Sequence, residues 1–227
     1  MITGTLYVIS TPIGNLDDIS IRATKILGIC NIIAAEDTRT TKKLLKKYNI
    51  LTKLISYNDY NEANRSKQLI NMLHDGNSVA LVSDAGTPCI SDPGYRVVKL
   101  AHENLIPIRT IPGPCSVTAA LSVSGLPSNR FFFEGFLPKK KGRQKRIKFL
   151  MNLDETIILF ESPYRVYKTL SDIYDHFGDR YVSICKELTK IYEDSNYGKL
   201  SKFLDSYKDK KFKGEYVILI SKKGLIK

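Results

Sequence analysis

Apolar residues in this chain gather in runs of about four, separated by loops rich in Gly, Pro, Ser and Asp and by segments with helical spacing. Leu6–Ile9, Ile32–Ala35, residues 54–57 and Val79–Val82 each read as a short buried strand. Between them, Ser20 reads as the cap of a helix carrying Ala23, Ile26 and Leu27. Leu44 and Leu45 mark a second helix, and residues 63–74 form a polar-faced third, stopped by Gly76. A fourth begins near Tyr95, residues 106–111 give a fifth strand, and a small-residue helix covers residues 117–123. Strand, loop and helix in repetition predict an α/β fold with a parallel-rich sheet.

The texture changes after Leu126-Pro127-Ser128-Asn129. Phe131, Phe132, Phe133 and Phe136 make a β-prone run, residues 156–160 and 182–185 read as strands, and Tyr216–Ile220 as a last one. Ser162 followed by Pro163 suits an N-cap and first helical position. A boundary near Cys115 and Ser116 divides the chain into an N-terminal α/β domain (1–115) and a C-terminal α/β domain (116–227).

Three strand ends share a character that one loop alone would not establish. They run into Ser10-Thr11-Pro12-Ile13-Gly14-Asn15, Ser83-Asp84-Ala85-Gly86-Thr87-Pro88 and Pro112-Gly113-Pro114-Cys115-Ser116. In a parallel sheet these loops emerge on one edge, where open α/β sheets bind ligands. Small residues there let backbone groups approach a ligand closely. The plainer reading makes Asp84 and Asp92 turn residues bonded to their own backbone. No Gly-x-Gly-x-x-Gly, P-loop or Gly-x-Ser-x-Gly pattern occurs, so dinucleotide, nucleoside triphosphatase and serine hydrolase readings lose support.

Charge narrows the choice of partner. Lys and Arg number 35 against 23 Asp and Glu, a formal net of +12, which favours a polyanion. Lys139, Lys140, Lys141, Arg143, Lys145 and Arg146 lie within eight residues and predict an exposed, mobile basic segment. The four cysteines (Cys30, Cys89, Cys115, Cys185) and three histidines are scattered without ligand spacing, so a metal-free cytoplasmic protein is expected. Neither a membrane-spanning apolar run nor a signal-peptide pattern is visible.

Six segments in this order carry a resemblance: Thr11-Pro12-Ile13-Gly14-Asn15-Leu16, Ala35-Glu36-Asp37-Thr38-Arg39, residues 81–94, Ile111-Pro112-Gly113-Pro114, Phe133-Glu134-Gly135-Phe136-Leu137-Pro138 and Phe160-Glu161-Ser162-Pro163. Together they resemble the tetrapyrrole methylase superfamily, in its branch that methylates small-subunit ribosomal RNA, from about Leu6 to Ile220. The resemblance implies two α/β domains with S-adenosylmethionine in the cleft between them, and 2′-O-methylation of a cytidine in the decoding region of 16S rRNA in the 30S subunit. It also implies a homodimer. Carried over by position, the donor contacts are Pro12, Ile13 and Gly14; Ser83, Asp84, Ala85, Gly86 and Thr87; Cys115, Ser116, Val117 and Thr118; and Phe160, Glu161 and Ser162. Cys89 and Cys115 stand where Gly and Ser are usual, and many members continue for tens of residues past the last strand.

Methyl transfer from a sulfonium to a ribose hydroxyl asks mainly for in-line positioning in a dry site, helped by a general base. Asp84 suits the donor's positive groups, and N–H groups near Ser116 suit its carboxylate. Ile13, Val117 and Phe160 are expected to wall the adenine. Glu36, Asp37 and Glu187 follow strands and are the candidate bases, while Arg39 and Lys186 would hold RNA phosphate beside the basic segment. Two rivals remain: a methylase acting on a small tetrapyrrole, and an RNA-binding module without catalysis.

Overall fold

The computed structural model describes residues 3–225, and the chain divides into two compact units, one ending at Cys115 and one beginning at Ser116. In the first unit, β1 (Leu6–Ile9), β2 (Ile32–Ala35), β3 (Lys53–Ser56), β4 (Val79–Val82) and β5 (Ile108–Ile111) form a sheet of order β3-β2-β4-β1-β5. Every pairing in it is parallel. The strands join through α1 (Ile21–Ile29), α2 (Thr38–Lys47), α3 (Glu62–His74) and α4 (Tyr95–Glu103). Central β4 is buried along its whole length, as a strand covered on both faces must be. One apolar cluster packs Leu27, Ile33, Leu44 and Val82, and another packs Leu69, Leu73, Leu81 and Val97.

Local chemistry sets the boundaries. The Ser20 hydroxyl accepts the Ala23 N–H at 3.1 Å and caps α1 as expected. Asp37 caps α2 by accepting the Arg39 N–H at 2.8 Å. The third strand lies one residue earlier than its apolar run, because Lys53 pairs with Ile32 while Tyr57 turns inward to bond Ser66 at 3.1 Å.

The second unit opens with α5 (Ser116–Val123) and holds β6 (Phe131–Phe136), α6 (Arg143–Leu150), β7 (Thr156–Glu161), α7 (Val166–Phe177), β8 (Tyr181–Lys186), β9 (Asp194–Lys199), α8 (Leu200–Tyr207) and β10 (Tyr216–Ile220). Its sheet runs β6-β7-β10-β8-β9 and is mixed: β6 and β7 are parallel, the other pairs antiparallel. Edge strand β9 (DSNYGK) lacks an apolar run and is held by its pairing with β8. The β6–β7 register shifts between Phe133 and Gly135, where Gly135 has φ 73°, and the bulge turns Glu134 toward Arg146. Among the described residues no helix is long and apolar enough to cross a membrane.

Candidate active site

In the first sheet β4, β1 and β5 are adjacent and parallel, so the loops that follow them share the carboxyl edge. Backbone bonds clasp two of them: the Thr11 N–H donates to Gly86 O at 2.8 Å, and the Gly86 N–H to Thr11 O at 3.0 Å. Thr11 Oγ1 donates to Ser83 O at 3.2 Å. Ser10 and Thr87 hydroxyls lie 2.8 Å apart, and Thr87 donates to Pro114 O at 3.1 Å, which brings in the third loop. Gly86 holds φ 84°, and a Cβ on Gly113 would stand 3.0 Å from that of Ser10. Two glycines are therefore required by the clasp itself.

Beside these loops, β2 adds acidic groups. The Asp84 carboxylate accepts the Asp37 N–H at 2.9 Å, and the Asp84 N–H reaches Glu36 Oε2 at 3.3 Å. Partial burial raises the Glu36 pKa, the Asp84 N–H lowers it, and the Asp84, Asp59 and Asp37 carboxylates raise it further. Asp84 is raised too, first by burial. Asp92 is pushed up to about 6 by burial and then by Glu36, with a Ser83 hydrogen bond opposing. Asp92, treated in the sequence as a turn residue, thus joins this carboxylate group. Its signal was the loop it shares with Asp84.

The three candidate bases part company. Asp37 is held down at about 2 by hydrogen bonds from the Arg39 side chain and N–H, so it is a weak base. Glu187 directly follows β8, whose neighbours in the second sheet are antiparallel, and lies against Glu215 at the border of the hollow beside Phe160. There its Oε1 accepts the Glu215 N–H at 2.9 Å and Lys190 Nζ at 3.0 Å. Partial burial pushes the Glu187 pKa up, but those two donors outweigh it and the net shift is downward. Glu36 alone of the three has a raised pKa.

Other expected residues are spent on structure. Glu161 is buried at 2 % exposure and accepts from Ser162 N at 2.7 Å, Thr169 Oγ1 at 2.6 Å and Arg165 at 2.7 Å, so its carboxylate is committed within the protein although the residue borders the hollow beside Phe160. Ser162 makes no side-chain cap; Pro163 opens a short 3₁₀ turn (Pro163–Arg165) instead. Ile13 and Val117 are buried, so of the expected adenine walls Phe160 keeps the most open surface. Phe160 lines a hollow of about 300 Å³ within the second unit, with Ser116, Phe136, Ser162 and Tyr216. In the first unit Pro12 is buried while Gly14 and Ala85 are exposed at the sheet edge; in the second, Thr118 is exposed on α5. Cys115, half-buried, closes the first unit.

The basic segment also divides. It is not wholly mobile, because α6 begins at Arg143. Arg143 is 4 % exposed and donates to Asp172 and Thr169, each at 2.8 Å, so it is unavailable to RNA. Arg146 pairs with Glu134 and lies 4.5 Å from the Phe149 ring centroid. Lys139, Lys140, Lys141 and Lys145 are exposed, Lys186 is half-buried, and Arg39 is exposed but forked onto Asp37.

A parallel unit with loops clasped at its carboxyl edge, followed by a mixed-sheet unit, makes a two-unit α/β architecture. The family described as Tetrapyrrole (Corrin/Porphyrin) Methylases matches residues 5–203, and the chain belongs to it. Within that class, ribosomal RNA small subunit methyltransferase I of Thermotoga maritima is 44 % identical over 220 residues, spanning 97 % of this chain and 99 % of the relative. The protein of the same name from Escherichia coli O157:H7 is 43 % identical over 221 residues, spanning 96 % and 77 %. Among solved structures, a diphthine synthase superposes with a TM-score of 0.75 at 16 % identity, covering 98 % of this chain and 91 % of its own. A Thermus thermophilus uroporphyrin-III C-methyltransferase, complexed with S-adenosyl homocysteine, gives 0.66 at 15 % identity, covering 95 % and 97 %. These two establish the fold.

Proposed function

We propose that this chain transfers a methyl group from S-adenosylmethionine to the ribose 2′-hydroxyl of a cytidine in the decoding region of 16S rRNA, within the small ribosomal subunit, and acts as a homodimer. The similarity to the Thermotoga protein over nearly the full length of both chains carries the reading. Relatives of about 15 % identity that act on tetrapyrroles speak for the fold and not for this acceptor.

The donor set suits the methyl donor. Two glycines bring backbone close at Gly86 and Gly113, hydroxyls of Ser10, Thr11 and Thr87 surround them, and Asp84 presents a carboxylate for cationic groups. In the second unit the hollow against Phe160 suits a flat ring. When bound, S-adenosylmethionine supplies an electrophilic methyl on a sulfonium leaving group. The chain's part is to hold the ribose hydroxyl in line, exclude water and take up one proton. Glu36 Oε is the proposed acceptor of that proton, as a carboxylate with a raised pKa is a better base than an ordinary one. Asp37 and Arg39 remain paired, with the guanidinium edge turned to phosphate.

The test is transfer of radiolabel from S-adenosylmethionine to 30S subunits lacking their native modifications, with the labelled nucleotide mapped by digestion and mass spectrometry. Label on one ribose of 16S rRNA is expected. Label on a porphyrinoid and none on 30S particles would replace this reading with the tetrapyrrole one.

A further inference from the structure

Helix α2 reads Thr-Arg-Thr-Thr-Lys-Lys-Leu-Leu-Lys-Lys and contains no acidic residue. Its cations, Arg39, Lys42, Lys43, Lys46 and Lys47, fall at spacings of three and four, so they form one stripe along the helix. Thr41, Leu44 and Leu45 are the buried residues of the helix and anchor it to the sheet. Arg39 is paired with Asp37, and Lys47 with Asp17. Among the described residues Lys42, Lys43 and Lys46 are exposed and have no carboxylate partner within ion-pair distance.

Like charges at these spacings destabilise a helix, and Arg39 also lies in the first turn, where the helix dipole disfavours a cation. A merely solvated helix gains from alternating Glu with Lys. An unbroken cationic stripe is instead what an external polyanion would stabilise. Beside it lies a groove of about 690 Å³, where α2 meets edge strand β3. Arg39, Lys42 and Lys46 line it together with Leu45, Ile50 and Leu54, and Leu51 stands at its lip almost fully exposed at 98 %. The helix starts directly after Asp37, whose N–H is bonded to Asp84.

We infer that the α2 stripe and the groove beside it form an RNA-docking surface of the first unit, holding the phosphate backbone of the strand that flanks the target nucleotide. The inference rests on the proposed activity and adds Lys42, Lys43 and Lys46 to Arg39. From Arg39 to Lys46 the stripe runs about 10 Å at ~1.5 Å per residue, enough to meet two or three successive phosphates. Ammonium groups supply position and affinity there, and sequence is read elsewhere. Leu51, beside the cations, offers an apolar face to an unstacked base.

The experiment uses the full chain carrying Lys42→Gln, Lys43→Gln and Lys46→Gln together, because Gln keeps helix propensity while removing charge. Binding of 16S rRNA is measured across a salt series from low to above physiological ionic strength, and methyl transfer to 30S subunits is followed in parallel. The expected result is at least a tenfold rise in Kd and in KM at low salt. The slope of log affinity against log salt should fall by about 2 to 3, at ~0.7–0.9 for each phosphate no longer neutralised. Donor affinity by calorimetry and kcat should move less than twofold, and the melting temperature should not fall. Unchanged RNA affinity and slope would overturn the surface, as would a wild-type chain that binds no RNA. Loss of binding to phosphatidylserine vesicles, with RNA binding intact, would overturn it in favour of a membrane. A wild-type chain that binds RNA through these lysines but methylates none would leave the surface standing and sink the proposed activity.

Discussion

The carboxylate of Asp84 accepts the backbone N–H of Asp37 at 2.9 Å, tying the end of β4 to the end of its neighbour β2. The bond spans 47 residues of sequence, so Asp84 is more than a turn residue satisfied by its own loop. In the proposed function the same carboxylate both holds a loop and faces the cationic groups of the donor. Asp84→Asn separates the tasks, since its amide oxygen still accepts the Asp37 N–H while the charge is gone. Donor affinity by calorimetry should fall at least tenfold in Asp84→Asn, with the melting temperature within a few degrees of wild type. Asp84→Ala should lose donor binding altogether and leave the far-ultraviolet circular dichroism unchanged. Undiminished affinity in both variants would restrict Asp84 to its structural bond.

Glu36 is the base candidate that the site leaves usable, because Asp37 is locked by Arg39 and Glu187 by Lys190 and the Glu215 backbone. Glu36→Gln should lower kcat by about 10²-fold, the lower range for a positioned base. KM for the subunit should hardly change. In wild type, kcat should rise with pH through a value above the ordinary glutamate pKa, since burial favours the protonated form. The Gln variant should show no such limb. A pH profile identical in both proteins would exclude Glu36 from the proton transfer.

Asp92 gives a stability prediction of the opposite sign from a paired carboxylate. Its folded pKa of about 6 lies above the ordinary aspartate value of 3.8, so the folded state holds the proton more tightly. Its stabilising contribution is therefore present below the unfolded pKa and lost as pH rises through about 6. Above that range the ionised group repels Glu36 and Asp84. Asp92→Asn should accordingly raise the melting temperature at pH values well above about 6 and match wild type near the ordinary aspartate pKa. A variant that melts lower under both conditions would show that the Asp92 carboxylate has a stabilising partner.

The first unit was legible because β1, β2 and β4 are apolar throughout and the helices between the strands carry a cap or a periodic face. Val79–Val82, buried throughout, is the clearest case. The shared edge of the β1, β4 and β5 loops followed from the parallel reading alone. The second unit was harder. Strand β9 exists through its pairing with β8 and carries no pattern of its own. The mixed sheet likewise follows from antiparallel pairings of β10 that composition does not encode. In the site, residue type was readable but commitment was not. Nothing in the local sequence shows that the charges of Glu161 and Arg143 are taken up by Thr169, Arg165 and Asp172, which lie farther along the chain.

Arg143 and its lysine neighbours should therefore separate cleanly by experiment. Arg143 donates to Asp172 at 2.8 Å and to the Thr169 hydroxyl at 2.8 Å, and that hydroxyl donates a hydrogen bond to Glu161 at 2.6 Å. Glu161 is in turn paired with Arg165. Removing one member of a buried ion pair leaves the other charge without compensation, a loss of about 3–5 kcal/mol. Arg143→Met keeps most of the aliphatic volume, so the measured loss in urea unfolding should come from the charge network and not from a cavity. The salt slope of rRNA binding should stay as in wild type, because Arg143 does not reach solvent. Serine at Lys139, Lys140, Lys141 and Lys145 should do the reverse. Stability should change by less than about 0.5 kcal/mol, as for exposed sites away from packed features. The salt slope should fall by up to about 3, at ~0.7–0.9 per neutralised phosphate. If Arg143→Met instead weakened RNA binding without loss of stability, the buried network would have to open in the complex and the arginine would regain the role its position in the basic run suggests.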